Sequence, residues 1–142
     1  MRLGIYAPQG WVGEFAGFEP ADAWARTVEV VARAERGGVD SVWAADHFHI
    51  LVPSEIDTLT FSALGTLVGI ASLTQRVSLG SLVACAGFRN PALLVKEYQT
   101  LDAVSGGRAI LGVGSGWFVP EWEAFGYGAF PTVAERVQLL ED

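Results

Sequence analysis

Several things are scarce in this sequence. Cysteine occurs once in 142 residues, as Cys85, which excludes an internal disulfide and a cysteine-based metal cluster. Basic residues number nine against sixteen acidic ones, for a formal net charge of -7. The nine are scattered and form no stripe that could neutralise phosphates, so no nucleic-acid partner is expected. No apolar run reaches the roughly 18 residues of a membrane span, so no membrane partner is expected either. The opening MRLGIYAPQG lacks the basic segment and long apolar stretch of a secretory signal. Together these absences set the expectation of a cytoplasmic protein. Low-complexity segments, interdomain linkers and internal repeats beyond a strand–helix unit are also missing, so residues 1–142 read as one domain.

What is present is a folded composition, 51% hydrophobic and only 18% charged. RLGIYA (2–7) reads as a strand closed by Pro8 and Gly10. Pro20 suits a first helical turn, and apolar residues recur at Ala25, Val28, Val31, Ala32 and Ala34 before Gly37-Gly38 ends the helix. DSVWAAD (40–46) is a second strand. Thr58 to Leu73 is a second helix, weakened by Gly65 and Gly69. RVSLGSLVAC (76–85) is a third strand. In the next segment Asn90 caps, Pro91 opens and Gly106 stops a third helix. RAILGVG (108–114) is a fourth strand, VPEWEAFG a short helix, and TVAERVQLLED opens another.

The order strand–helix repeated four times, with strands that are apolar runs rather than alternations, predicts an α/β fold with four parallel strands. Two such folds place ligands differently. SGGRAILGVGSGW has a Gly-x-Gly-x-Gly, but it follows the fourth strand and leads into Trp117 and Phe118 rather than a long helix, the wrong context for a dinucleotide fingerprint. In a βα barrel, functional groups gather at the C-terminal strand ends. Here those ends are Tyr6–Gln9, Asp46–His47, Leu82–Cys85 and Gly112–Gly116, where glycines and polar groups concentrate. The strand starts carry Arg2, Asp40, Arg76 and Arg108, a pattern expected of a solvated rim. A complete barrel needs about 250 residues and eight strand–helix units. The chain is therefore expected to be the N-terminal half of a TIM barrel, as a fragment of a longer protein, as a homo-oligomer that closes the sheet, or as an incomplete module.

SVWAADHF, the run from RVSLGSLVACAGFRNPALL through LDAVSGGRAILGVGSGW to EWEAFG, and FPTVAERVQLLED resemble the luciferase-like monooxygenase superfamily. Within it they are most similar to the subgroup that uses the 8-hydroxy-5-deazaflavin coenzyme F420. The resemblance implies hydride transfer between F420 and an organic small-molecule substrate. It implies that Asp46 helps hold the deazaflavin ring and that His47 is the catalytic acid/base beside the reacting centre, a role suited to imidazole near neutral pH. It also implies a non-proline cis peptide at Leu82-Val83, with Leu82, Val83 and Ala84 behind the ring, and a cofactor tail along Gly114 and Ser115. The glycines fit either close approach of a cofactor or a tight strand–helix turn.

Two alternatives accompany this reading: an FMN-dependent monooxygenase on the same scaffold, and a non-catalytic half-barrel acting as a partner subunit. Some sugar-phosphate dehydrogenases of the superfamily have a catalytic acidic residue after the glycine motif. Trp117 stands there instead, which argues against a sugar-phosphate substrate. His49 with Asp46 and His47 raises a metal site, but no further ligand set supports one, and His49 reads as a solvated loop residue. Cys85 reads as a packing residue, Glu14 and Glu55 as solvated charges. Trp11, Phe15, Phe18, Trp117, Phe118 and Trp122 are loop aromatics available to a substrate pocket or to loop packing.

Overall fold

The structure, a computed structural model, describes residues 1–49 and 59–141. Strands β1 (Gly4–Tyr6), β2 (Ser41–Ala44), β3 (Ser78–Ser81) and β5 (Ala109–Ile110) form a parallel sheet in the order β1-β2-β3-β5. A second parallel pair joins β4 (Ala84–Cys85) to β6 (Val113–Gly114). The third and fourth strands expected from the sequence are thus each broken in two. The first break is the Leu82-Val83 step, whose peptide is cis.

Helices α1 (Pro20–Arg36), α2 (Ala63–Ala71) and α3 (Pro91–Ser105) alternate with the strands, and α4 (Val119–Ala124) and α5 (Val133–Glu141) follow β6. The caps of α3 are those expected: Asn90 Oδ1 accepts the Ala92 amide at 2.9 Å, and Gly106 adopts a left-handed φ of 70°. The buried stripe of α1 is Ala23, Thr27 and Val31, rotated from the apolar set read in the sequence. Thr27 can be buried because its hydroxyl donates to the Pro8 and Ala23 carbonyls. The second helix starts later than predicted, at Ala63, with Ser62 as cap; Thr58 lies outside the described residues. Gly69 does more than weaken α2. A Cβ there would lie 2.5 Å from the Trp24 ring, so its bareness lets α1 pack against α2.

One sheet face is the core, where Val42, Ala44 and Leu79 meet Leu67, Ile70, Leu94 and Leu101. On the other face the Trp43 indole covers Gly4 and Gly80, at each of which a Cβ would approach it within 2.7 Å. Tyr6 and Ile110 remain exposed there. The strand-start rim is less solvated than expected. Arg108 is half-buried, and its guanidinium donates to the Ser105, Val77, Ala71 and Thr74 carbonyls, satisfying groups at the ends of α2 and α3.

Candidate functional site

The C-terminal strand ends converge on a cavity of about 330 Å³. Its lining includes Asp46, His47, Leu82, Val83, Gly114 and Ser115, with Trp117, Phe118 and Glu121 closing one side. Ala84, the remaining residue expected here, is buried beneath it in the core cluster.

The cavity wall at Leu82 and Val83 is apolar and open, the two residues being 45% and 40% exposed. Hydrogen bonds hold this step from both sides. Leu82 N–H donates to Ala44, Ala84 N–H donates to Gly112, and the Tyr6 hydroxyl donates to the Leu82 carbonyl at 3.0 Å. The glycine motif serves the same step. A Cβ on Gly112 would lie 2.3 Å from the Ser81 carbonyl oxygen, and one on Gly114 would lie 2.4 Å from a Val83 methyl. Gly116 takes a φ of +77°, and a Cβ there would meet the Cys85 sulfur at 2.8 Å. These glycines therefore admit the neighbouring strand's backbone and side chains and keep the mouth clear.

Asp46 is buried and its carboxylate is fully engaged. Arg89 grips it with both terminal nitrogens, each at 2.8 Å, and the Cys85 amide donates to it at 2.9 Å. Burial works against the charge of Arg89, but the Asp46 carboxylate prevails and holds the guanidinium above its ordinary value. Burial pushes the Cys85 thiol up, and the Asp46 charge adds to this. The thiol is thus kept protonated, as befits packing rather than nucleophilic attack.

His47 sits among Trp11, Trp117 and Phe118 rings at 5.7–6.2 Å between centroids. Its Nδ1 lies 3.0 Å from Glu121 Oε2. Glu121 is fully buried. Its other oxygen accepts the backbone amides of Phe48, in a short contact, and of His49, at 3.3 Å.

Sequence reasoning missed four residues here. Glu121 is 74 positions from His47, so nothing local links them; its one signal is an acidic residue amid the aromatics of PEWEAF. Arg89 directly precedes the Asn90 cap, and nothing in that local position marks it as a partner of Asp46. Gln9 is wholly buried and bridges the ends of β1 and β2, donating to the Ala45 carbonyl and accepting the Ala45 amide. Glu14 is not merely a solvated charge: its carboxylate accepts the amides of Gln9, Gly10 and Val12, fixing the loop after β1. Glu55 lies outside the described residues.

The aromatics divide. Trp117 and Phe118 line the cavity, whereas Phe15 packs with Phe18 and Phe61, and Trp122 with Phe88, Tyr127 and Phe130. His49 meets the rings of Phe118 and Phe125 rather than open solvent. Among the described residues no group of three or more His, Cys, Asp or Glu side chains is placed to hold a metal ion, and no helix is long and apolar enough to cross a membrane.

The cis step stands at Leu82-Val83, where the sequence resemblance places it, and its two residues line one cavity with His47. The luciferase-like monooxygenase family matches over residues 1–142. The chain belongs to this family. It is 37% identical over 118 residues to an F420-dependent glucose-6-phosphate dehydrogenase of Kineococcus radiotolerans, covering 82% of this chain and 34% of that protein. Among solved structures, an F420-dependent secondary alcohol dehydrogenase in complex with an F420–acetone adduct superposes with a TM-score of 0.76. It is 27% identical, over 97% of this chain and 38% of that one. The oxygenating constituent of 3,6-diketocamphane monooxygenase of Pseudomonas putida, in complex with FMN, shares the fold with a TM-score of 0.77 at 17% identity, over 99% of this chain and 38% of that one. The chain thus spans about a third of the length of the curated relatives it matches. The sheet is the first half of the family's TIM-barrel architecture.

Proposed function

We propose that the protein containing this chain is a cytoplasmic F420-dependent oxidoreductase acting on an uncharged alcohol or carbonyl compound. The observation that carries the reading is the open Leu82-Val83 wall lying in one cavity with His47. A planar deazaflavin ring suits this wall, because Gly114, where a side chain would strike Val83, leaves the wall bare. The anionic tail is less well served. Ser115 and backbone amides are at hand, but among the described residues the cavity lining carries no lysine or arginine.

When bound, F420 supplies the hydride acceptor or donor. In the oxidative direction His47 would take the hydroxyl proton of the alcohol as its carbon is oxidised to a carbonyl, and would be left as an imidazolium. In the reductive direction it would return that proton. Asp46, held by Arg89 and Cys85, fixes the floor at the junction of β2 and β4. Trp117, 63% exposed, and Phe118 offer apolar surface to the substrate. That surface, with Trp117 standing where some sugar-phosphate dehydrogenases of the superfamily carry an acidic residue, supports an uncharged substrate over a sugar phosphate.

Parallel titrations of the native protein with F420 and FMN test the assignment. Saturable F420 binding, with F420-linked turnover of an alcohol or carbonyl compound, is expected. Preferential FMN binding with oxygen consumption would overturn the cofactor, and efficient turnover of glucose 6-phosphate would overturn the substrate class.

A further inference from the structure

Resting on that reading of His47, we infer that Glu121 is a positioning residue that fixes the tautomer of His47 and so decides which ring nitrogen meets the substrate. Three observations converge. Glu121 is a fully buried carboxylate, donated by α4 to a histidine at the end of β2. Its Oε1 is occupied as an acceptor by the amides of Phe48 and His49. Its Oε2 lies 3.0 Å from Nδ1 of His47.

A carboxylate oxygen can only accept, so Nδ1 must carry the proton in this contact. The proton of neutral His47 is thereby placed on Nδ1, leaving the Nε2 lone pair as the group that can take a proton from a molecule in the cavity. The same carboxylate stabilises the imidazolium that results. The two backbone amides give Glu121 its own fixed orientation, and without them the side chain could turn away from the ring. The logic is that of the carboxylate in hydrolase triads, which orients an imidazole without receiving its proton.

Glu121→Gln discriminates sharply. Two backbone donors face the Oε1 position, so the amide oxygen settles there and the NH₂ group turns to His47 Nδ1. Nδ1 must then accept, and the ring proton moves to Nε2. The test is ¹⁵N NMR of the native protein labelled at histidine, at a pH where the ring is neutral, with the His47 signals assigned by loss in His47→Gln. An Nδ1–H tautomer in the wild type, inverted to Nε2–H in E121Q, is the expected result. An Nε2–H wild type, or two tautomers in rapid exchange, would overturn the inference whatever the variant does. A folded E121Q that keeps the Nδ1–H form would also overturn it. Because the readout needs neither cofactor nor turnover, a correct tautomer in a protein that fails to bind F420 would sink the functional reading and leave the role of Glu121 intact.

Discussion

At the scale of single residues, the site depends on charges that are paired and buried. Arg89 and Asp46 are 19% and 3% exposed in their side chains, and each removes the other's need for water. Breaking one side of such a pair leaves an uncompensated charge and costs roughly 3–5 kcal/mol. Arg89→Met is therefore expected to lower the unfolding free energy by about that amount in denaturant titrations. The double variant Asp46→Asn/Arg89→Met should recover much of the loss. An Arg89→Met protein as stable as the wild type would show that the pair is not desolvated as described. The resemblance of SVWAADHF singles out Asp46 and His47, and both line the cavity. Their partners Arg89 and Glu121 were not legible in the sequence, because each lies 43 or 74 positions away and only the fold brings them together.

At the scale of elements, the caps and stops of α3 were legible because Asn90, Pro91 and Gly106 act on their immediate neighbours. The break within the fourth strand was not, and the break within the third was legible only through the resemblance, which places a cis peptide at Leu82-Val83. Both breaks arise where two strands crowd each other, and neither strand alone reports the crowding. Gly112 is the clearest instance. Gly112→Ala would press a methyl group against the Ser81 carbonyl oxygen, 2.3 Å away, and neither backbone can easily retreat. A loss of about 2 kcal/mol or more is expected from such overpacking, read as a lowered denaturation midpoint, and an unchanged midpoint would count against the close strand approach.

Glu35 performs a comparable task at the other end of the sheet, where its carboxylate accepts the amides of Gln75, Arg76 and Val77 leading into β3. Partial burial acts to raise its pKa, but the three amides prevail and hold it below the usual carboxylate value. The folded state thus binds the proton less readily than the unfolded chain. Its stabilising contribution is complete above the unfolded value of about 4.3 and vanishes as pH falls through the lower folded value. Glu35→Gln should therefore cost about 1 kcal/mol at pH 7, the side chain being partly open to water. The gap from wild type should close on acidification below pH 4; a gap independent of pH would contradict this account of the loop.

At the scale of the whole molecule, one face of the sheet is buried under three helices and the other is covered only in part by Trp43. The parallel α/β order and the end of the strands that bears the cavity were both legible, because strand–helix alternation and the placement of glycines survive without tertiary information. The rotated stripe of α1 was less so, since Thr27 becomes a core residue only when the Pro8 carbonyl is there to receive its hydroxyl. All the elements meet in the proposal made above, that the break between β3 and β4 and the bare glycines in and beside β6, Gly112, Gly114 and Gly116, present a wall to a deazaflavin beside His47. A crystal structure of the native protein grown with F420 tests it most directly. The ring is predicted to lie against Leu82 and Val83, with His47 at its reacting edge. F420 seated elsewhere, or FMN carried from the source in this cavity, would contradict it.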